Sequence, residues 1–429
     1  MEDIERGARA IVKQVNHEPH ISTQLLRAWR KDEEAFQRFF DSFQGISLRS
    51  LSDEKLLALF RTYYRLGIAR FTSSVIIDHF ALGTDTLIAD MLRKELGNLG
   101  SESIFTDIVS GLTAPVHQSF INAAELELLR IALASAVQHP RLLARCQARY
   151  FWIRNNYVDV HVLTARDFAK DLAVLLKSKA DARKQYARIY ATPRLNAERK
   201  KKLLQKYHLS PLLRRLLKIS EDFTWWQDER KKATYLNIHM GAQILGEMAR
   251  RRGIDPEYTK YLVLPEVEHW FIKGTPSLAM LRQRRKSCAF VVTTKGFRFF
   301  TGSDVEKLHK RMFPPTQRDM VNDVRGLTAS TGKVVGRVKI VSSVRDIGKM
   351  QQGNILVSVM TRPDYIAGIK KAAAIVTNEG GITCHAAIIS RELGIPCIIG
   401  TKIATEVFKD GDLVEVNANH GVVTRILHV

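Results

Sequence analysis

The sequence predicts a multidomain chain of α and α/β parts: a large, mostly helical region over residues 1–285, then a compact α/β domain over residues 326–429. Three observations carry this. No glycine occurs between Gly111 and Gly241, an interval that strands and tight turns rarely cross without one. Segments such as "AAELELLRIALASAVQ" and "ARDFAKDLAVLLKS" space their apolar residues at helical intervals. From Gly326 onward the texture changes: 12 of the 25 glycines fall there, between the short β-rich runs "KVVGRVKIV", "NILVSV", "AAIVT", "PCIIG", "DLVEV" and "VVTRIL".

In chain order, "LSDEKLLALFRTYYRLGIARF" opens with Ser52 as an N-cap and Asp53 and Glu54 in the first turn. A second helix is expected from Ser220, with Glu221 and Asp222 after it, to Arg250, Arg251 and Arg252, where Gly253 takes the C′ position. Trp226, Ala233, Leu236, Met240, Ile244 and Met248 form one apolar stripe along it. The plain reading is a core helix with a solvated polar face. The functional alternative is that Asp228, Arg230 or His239 lines an acceptor cleft. Residues 286–313 read as a hairpin, Cys288 to Val292 and Phe297 to Phe300 turning at Lys295-Gly296, followed by a helix capped by Ser303 or Asp304. Residues 314–325, opened by Pro314-Pro315, form the linker, because a proline pair cannot continue a helix.

The formal net charge is +22, of which residues 321–429 supply +4, with 13 Lys and Arg against 9 Asp and Glu. The rest lies in the first 320 residues and favours an anionic partner, a phosphorylated substrate or an acidic protein face. The four cysteines (Cys146, Cys288, Cys384, Cys397) form no C-x-x-C pair, which speaks against a zinc site or a disulfide framework. No run of eighteen apolar residues and no apolar signal core occur, so a cytoplasmic protein without a membrane span is expected.

The chemistry-bearing stretch is "TNEGGITCHAAIISRELGIPCIIG", residues 377–400. Gly380-Gly381 lets the chain turn sharply out of the strand "AAIVT". Thr383 is expected as the N-cap, which puts His385 about two residues inside the helix. The free N–H groups and the dipole at a helix N-terminus favour a bound anion and disfavour a protonated imidazole. A neutral ring there can attack phosphorus while the backbone holds the phosphate. Leu393-Gly394 and Pro396 stop the helix.

"GGITCHAAIISR", with "GNILVSVMTRPDYIAGIKKAAAIVTNEGG", "RELGIPCIIGT", "DGDLVEV" and "GVVTRI" around it, resembles the mobile phosphohistidine domain of the phosphoenolpyruvate (PEP)-utilising enzymes. "TCHAAII" followed by "RELGIP" looks closest to phosphoenolpyruvate synthase. The resemblance implies a swivelling β/β/α domain over 326–429. It makes His385 the residue that becomes phosphorylated, and Gly380, Gly381 and Thr383 its phosphate support. More weakly, the helical part resembles the acceptor-binding region before the mobile domain in rifampicin-phosphotransferase-like proteins.

An ATP-grasp lobe needs glycine-rich strands, and a PEP-binding barrel about 250 residues. Neither is legible, nor is a Walker-type G-x-x-x-x-G-K-[ST]. The expected function is therefore a phosphotransferase component. It would take phosphate from ATP or PEP, with Mg²⁺, on a separate ATP-grasp or PEP-binding protein, and pass it to a small-molecule acceptor. No metal site of its own is expected. The rivals are a non-catalytic phosphocarrier or regulatory protein and, more weakly, a nucleic-acid-binding protein using the basic run "ARKQYARIYATPRLNAERKKKLLQKYHLSPLLRRLLK".

Overall fold

The structure, a computed structural model, describes residues 2–426 apart from 19, 98, 101, 156, 158, 178, 295, 313–322 and 382–383. The helical region is organised by one long helix, Pro211–Arg251. It begins ten residues before the expected start. Ser210 is the N-cap, accepting the Leu213 N–H, and Pro211 opens the first turn. Ser220 is instead buried in mid-helix. The acids that imitate a helix start are claimed elsewhere: Glu221 meets Lys200 of a neighbouring helix and Lys218 one turn back, and Asp222 accepts from the Ser22 hydroxyl. At the other end Gly253 has φ +64, as a residue ending a helix in the left-handed region requires.

The expected stripe is the spine of the region. Trp226, Ala233, Leu236, Met240, Ile244 and Met248 are all buried. The first half of the helix joins a core built on Trp29, Phe80 and Phe223, and the second half one built on Phe60, Trp270 and Leu281. Helices Phe120–Leu133, His139–Tyr150 and Ala165–Leu176 close a third, smaller core around Ile131 and Phe168. Among the described residues no helix is long and apolar enough to cross a membrane.

Strands β1 (Cys288–Thr293) and β2 (Gly296–Thr301) form the expected hairpin, with Thr293 opposite Gly296. Gly296 thus begins β2, at φ +122, and Lys295 lies outside the described residues. Helix Ser303–Met312 follows. Most of the expected linker, residues 314–322, also lies outside the described residues, and the remainder, Asp323–Arg325, is strand β3.

The C-terminal domain is a mixed eight-stranded sheet. After β3 come β4 (Leu327–Ser330), β5 (Lys333–Ile340), β6 (Asn354–Ser358), β7 (Ala372–Thr377), β8 (Cys397–Ile399), β9 (Leu413–Asn417) and β10 (Val422–Arg425). Their order is β3-β10-β9-β5-β6-β7-β8-β4, with β5 to β8 parallel and every other pairing antiparallel. Side chains alternate between two cores. Ile355, Val357, Ala374, Val376 and Ile398 pack with β9 and β10. Leu356, Ile375, Cys397 and Ile399 pack against Ala386 and Ala387 of helix His385–Leu393, the crossover from β7 to β8. Burial on both faces explains why these runs read as continuously apolar.

Candidate active site

The loop that delivers His385 is fixed at its base. Asn378 and Glu379 donate their N–H groups to Ser358 and Val359 at 3.0 and 2.9 Å. The Asn378 amide bridges Thr405, donating to its hydroxyl at 2.6 Å and accepting its N–H at 2.9 Å. Gly380 then turns the chain at φ +117. A Cβ there would stand 2.7 Å from the Cys384 sulfur, so both the backbone angle and the space require glycine. The Gly381 carbonyl accepts from the Cys384 N–H at 3.0 Å.

The helix starts one residue later than expected. Cys384, extended at ψ 163°, is the N-cap, and its carbonyl takes the Ile388 N–H at 3.0 Å. His385 is therefore the first helical residue rather than two residues inside. Thr383, expected as the cap, lies outside the described residues. Threonine preference yields because the Gly381–Cys384 turn keeps Cys384 extended until the helix begins. Gly394 ends the helix in the left-handed conformation, as expected.

Among the described residues the His385 ring has one hydrogen-bond partner: Nδ1 lies 2.9 Å from the hydroxyl oxygen of Thr361, a buried residue just past β6. Burial first, and the positive charge of Lys231 second, push the His385 pKa down to about 3. The ring is thus neutral at physiological pH, with one nitrogen committed to Thr361.

His385 opens into a cavity of about 170 Å³ between the helical region and the C-terminal domain. Helix Pro211–Arg251 supplies Thr224, Trp225, Gln227, Asp228 and Lys231; Ile189 and Ile388 are among its apolar wall. Lys231, half-buried, makes no hydrogen bond or ion pair among the described residues, and burial pulls its pKa down against the charge of Asp228. Asp228 accepts the Phe120 N–H through Oδ2 at 2.7 Å, capping helix Phe120–Leu133. Burial raises its pKa to about 6, against the pull of that backbone bond. Burial likewise raises Glu392, which is bonded to Asn122. Glu125, also on the wall, faces Lys370 across the domain boundary at 3.8 Å.

Of the three acceptor candidates on the long helix, only Asp228 reaches the cavity. Arg230 turns to Asp78, its guanidinium meeting both carboxylate oxygens at 2.8 and 2.7 Å. His239 is buried against Phe151, at 4.9 Å between ring centroids, with Nε2 on Gln243 at 2.7 Å. Sequence reasoning missed Lys231 and Thr361. Lys231 follows Asp228 by three residues and so shares its helix face. Thr361 gives no local signal, since its partner is 24 positions away.

Residues 350–421 match the family described as "PEP-utilising enzyme, mobile domain". A probable phosphoenolpyruvate synthase of Methanothermobacter thermautotrophicus is 54% identical over 100 residues, 23% of this chain and 15% of that protein. The phosphoenolpyruvate synthase of Pyrococcus furiosus is 52% identical over 100 residues, 23% of this chain and 12% of that protein. Chondramide synthase of Chondromyces crocatus is 30% identical over 232 residues, 48% of this chain and 6% of that protein. The chain therefore spans less than a sixth of the length of these relatives. Its match to chondramide synthase is about twice as long as its match to the synthases.

Proposed function

We propose, from a chain that carries the mobile domain of the PEP-utilising enzymes, that the protein transfers phosphate through His385 to a small molecule held in the cavity against the helical region. The observation that carries this is the Thr361 contact. With Nδ1–H donating to Thr361, Nε2 keeps its lone pair for the cavity, which Lys231 also lines. Attack by neutral Nε2 gives a phosphoimidazolium that still carries the Nδ1 proton. Transfer onward returns neutral imidazole, so no proton need leave the ring in either half of the cycle. The orphan N–H groups of the first helical turn and the ammonium of Lys231 would hold the phosphoryl oxygens. Gly380, Gly381 and Thr383 belong to that cradle in this reading.

The donor, ATP or PEP with Mg²⁺, is assigned to a separate ATP-grasp or PEP-binding protein. Reaching that protein requires His385 to leave the cavity. The cavity favours this reading over a carrier without an acceptor, because a carrier needs no half-apolar chamber at its histidine.

The test is incubation of the purified chain with labelled ATP or PEP and Mg²⁺, alone and with an ATP-grasp protein, beside His385→Ala. Acid-labile, base-stable label that disappears in the variant supports phosphohistidine chemistry. Absence of label with every donor and partner, from folded protein, overturns it.

A further inference from the structure

We propose that Asp228 and Lys231 are catalytic residues for the outgoing half of the reaction, and that the acceptor they serve is an uncharged hydroxyl compound. This rests on the reading of His385 as the phosphate carrier. Asp228 and Lys231 are three residues apart on helix Pro211–Arg251 and line the same cavity as His385. Their hydrogen bonding differs. Asp228 spends Oδ2 on the Phe120 N–H, which fixes the carboxylate and leaves Oδ1 for a ligand. Lys231 is held by no hydrogen bond among the described residues, feels the charge of Asp228 one turn back, and its own charge is felt at His385. An ammonium with no hydrogen-bonded carboxylate keeps its N–H donors for an anion, and the phosphoryl group on Nε2 supplies one.

The charges of the wall select the acceptor. Glu221 is matched by Lys200 and Lys218, and Glu125 by Lys370. Arg188 acts on Glu392. Once the phosphoryl group faces Lys231, the remaining lining cations, Arg188 and Lys370, stand beside Glu392 and Glu125, so the wall offers no net positive charge to a carboxylate or a second phosphate on the acceptor. The surplus positive charge of the helical region, which favoured a phosphorylated substrate on composition alone, does not extend into this cavity. Trp225, Ile121, Ile189, Ile388 and Leu393 give it an apolar wall instead.

The step balances as follows. The acceptor hydroxyl oxygen attacks phosphorus, and its proton passes to Asp228 Oδ1. The O–P bond forms as the Nε2–P bond breaks, and the bonding pair returns to Nε2 of neutral His385. Lys231 neutralises the equatorial oxygens during transfer. Asp228 loses its proton to water before the next turnover.

The experiment bypasses the donor protein. The full chain is phosphorylated with potassium phosphoramidate, and the charge on His385 is located by mass spectrometry beside His385→Ala. The charged protein is chased with 2-phenylethanol or with pyruvate, and the products are followed by ³¹P NMR. The expected result is 2-phenylethyl phosphate and no reaction with pyruvate. Asp228→Asn keeps an oxygen for the Phe120 N–H, so it retains the cap. It should charge normally yet transfer about a hundredfold more slowly. Wild-type transfer should rise with pH through about 6, the Asp228 pKa, and the variant's should be flat. That profile belongs to Asp228 in the field of Glu229, Lys231 and Lys232 on its own helix and Glu392 on the histidine helix. Lys231→Met should slow charging as well as transfer.

Transfer by Asp228→Asn at the wild-type rate, a preference for pyruvate, or a charged His385 that yields no ester overturns this inference alone. Failure of His385 to take phosphate while other histidines do overturns the carrier reading beneath it.

Discussion

Thr361 and His385, brought together from the end of β6 and the start of the crossover helix, meet at 2.9 Å between hydroxyl oxygen and Nδ1. The contact turns Nε2 toward the cavity, and in the proposed tautomer the proton on Nδ1 goes to Thr361 and leaves the lone pair on Nε2. Thr361 itself is buried, so the ring cannot turn without leaving a buried hydroxyl unpaired.

Thr361→Val should therefore slow charging of His385 by about tenfold, the scale of a misdirected nucleophile. Thr361→Ser should recover most of the rate. Both are read by phosphoramidate labelling of the purified variants. Charging of the valine variant at the wild-type rate would remove Thr361 from the mechanism.

Asp228 should store instability at neutral pH. Its folded pKa of about 6 lies above the ordinary 3.8, so between these values the native state binds more proton than the unfolded state. Stability contributed by its protonation is present below about pH 4 and lost as pH rises through 6. Asp228→Asn, which keeps the Phe120 bond, should raise Tm at pH 7.5, and the gain should shrink toward pH 4. Calorimetry of the two proteins across that range checks the sign. A lower Tm for the variant at pH 7.5 would mean that the charge is compensated better than its surroundings indicate.

His385 works in the opposite direction. Its folded pKa of about 3 lies below the ordinary 6.5, so the unfolded state binds more proton in between. Stability is lost as pH falls from 6.5 toward 3. His385→Gln should lose less Tm than the wild type between pH 7 and pH 5, where the neutral amide has nothing to protonate. Equal losses would show that another group, such as buried His239, carries the acid sensitivity.

What was legible in the sequence is what local chemistry governs. The apolar stripe from Trp226 to Met248, the glycine turn before His385 and the Gly394 stop all follow from residues within a few positions of one another. The misplaced start of the long helix has a cause outside its own signals. Ser220-Glu221-Asp222 has the chemistry of an N-terminus, but Lys200, Lys218 and Ser22 claim those acids and the helix runs through. Arg230 and His239, on opposite sides of the long helix, are taken by Asp78 and Phe151, which are distant in sequence. Lys231 becomes a candidate only when the C-terminal domain docks against the long helix, a relationship that periodicity does not encode.

Gly380→Ala should destabilise the chain by about 1–3 kcal/mol, the usual scale for forcing a side chain into a disfavoured backbone region. The position has φ +117, and the added Cβ would lie 2.7 Å from the Cys384 sulfur. Adding Cys384→Ala removes the sulfur but neither the Cys384 Cβ, 3.2 Å away, nor the backbone strain, so the double variant should recover only part of the loss. Denaturant unfolding of both variants separates the steric from the conformational contribution. Full recovery would assign the whole effect to the sulfur.

Arg230 tests whether structure and chemistry are separable on one helix. Its guanidinium is mostly buried and bound through both nitrogens to Asp78, with a further bond to the Ser74 carbonyl at 3.2 Å. Asp78 is about half exposed, so the pair is partly screened, and a coupling of about 1 kcal/mol is expected from a double-mutant cycle of Arg230→Met and Asp78→Asn. Neither substitution touches the cavity wall, and both variants should charge His385 with phosphoramidate at the wild-type rate. If Arg230→Met instead abolishes charging while the protein stays folded, Arg230 reaches the phosphoryl group in a state other than this docked one. The long helix would then carry two cations for the reaction rather than Lys231 alone.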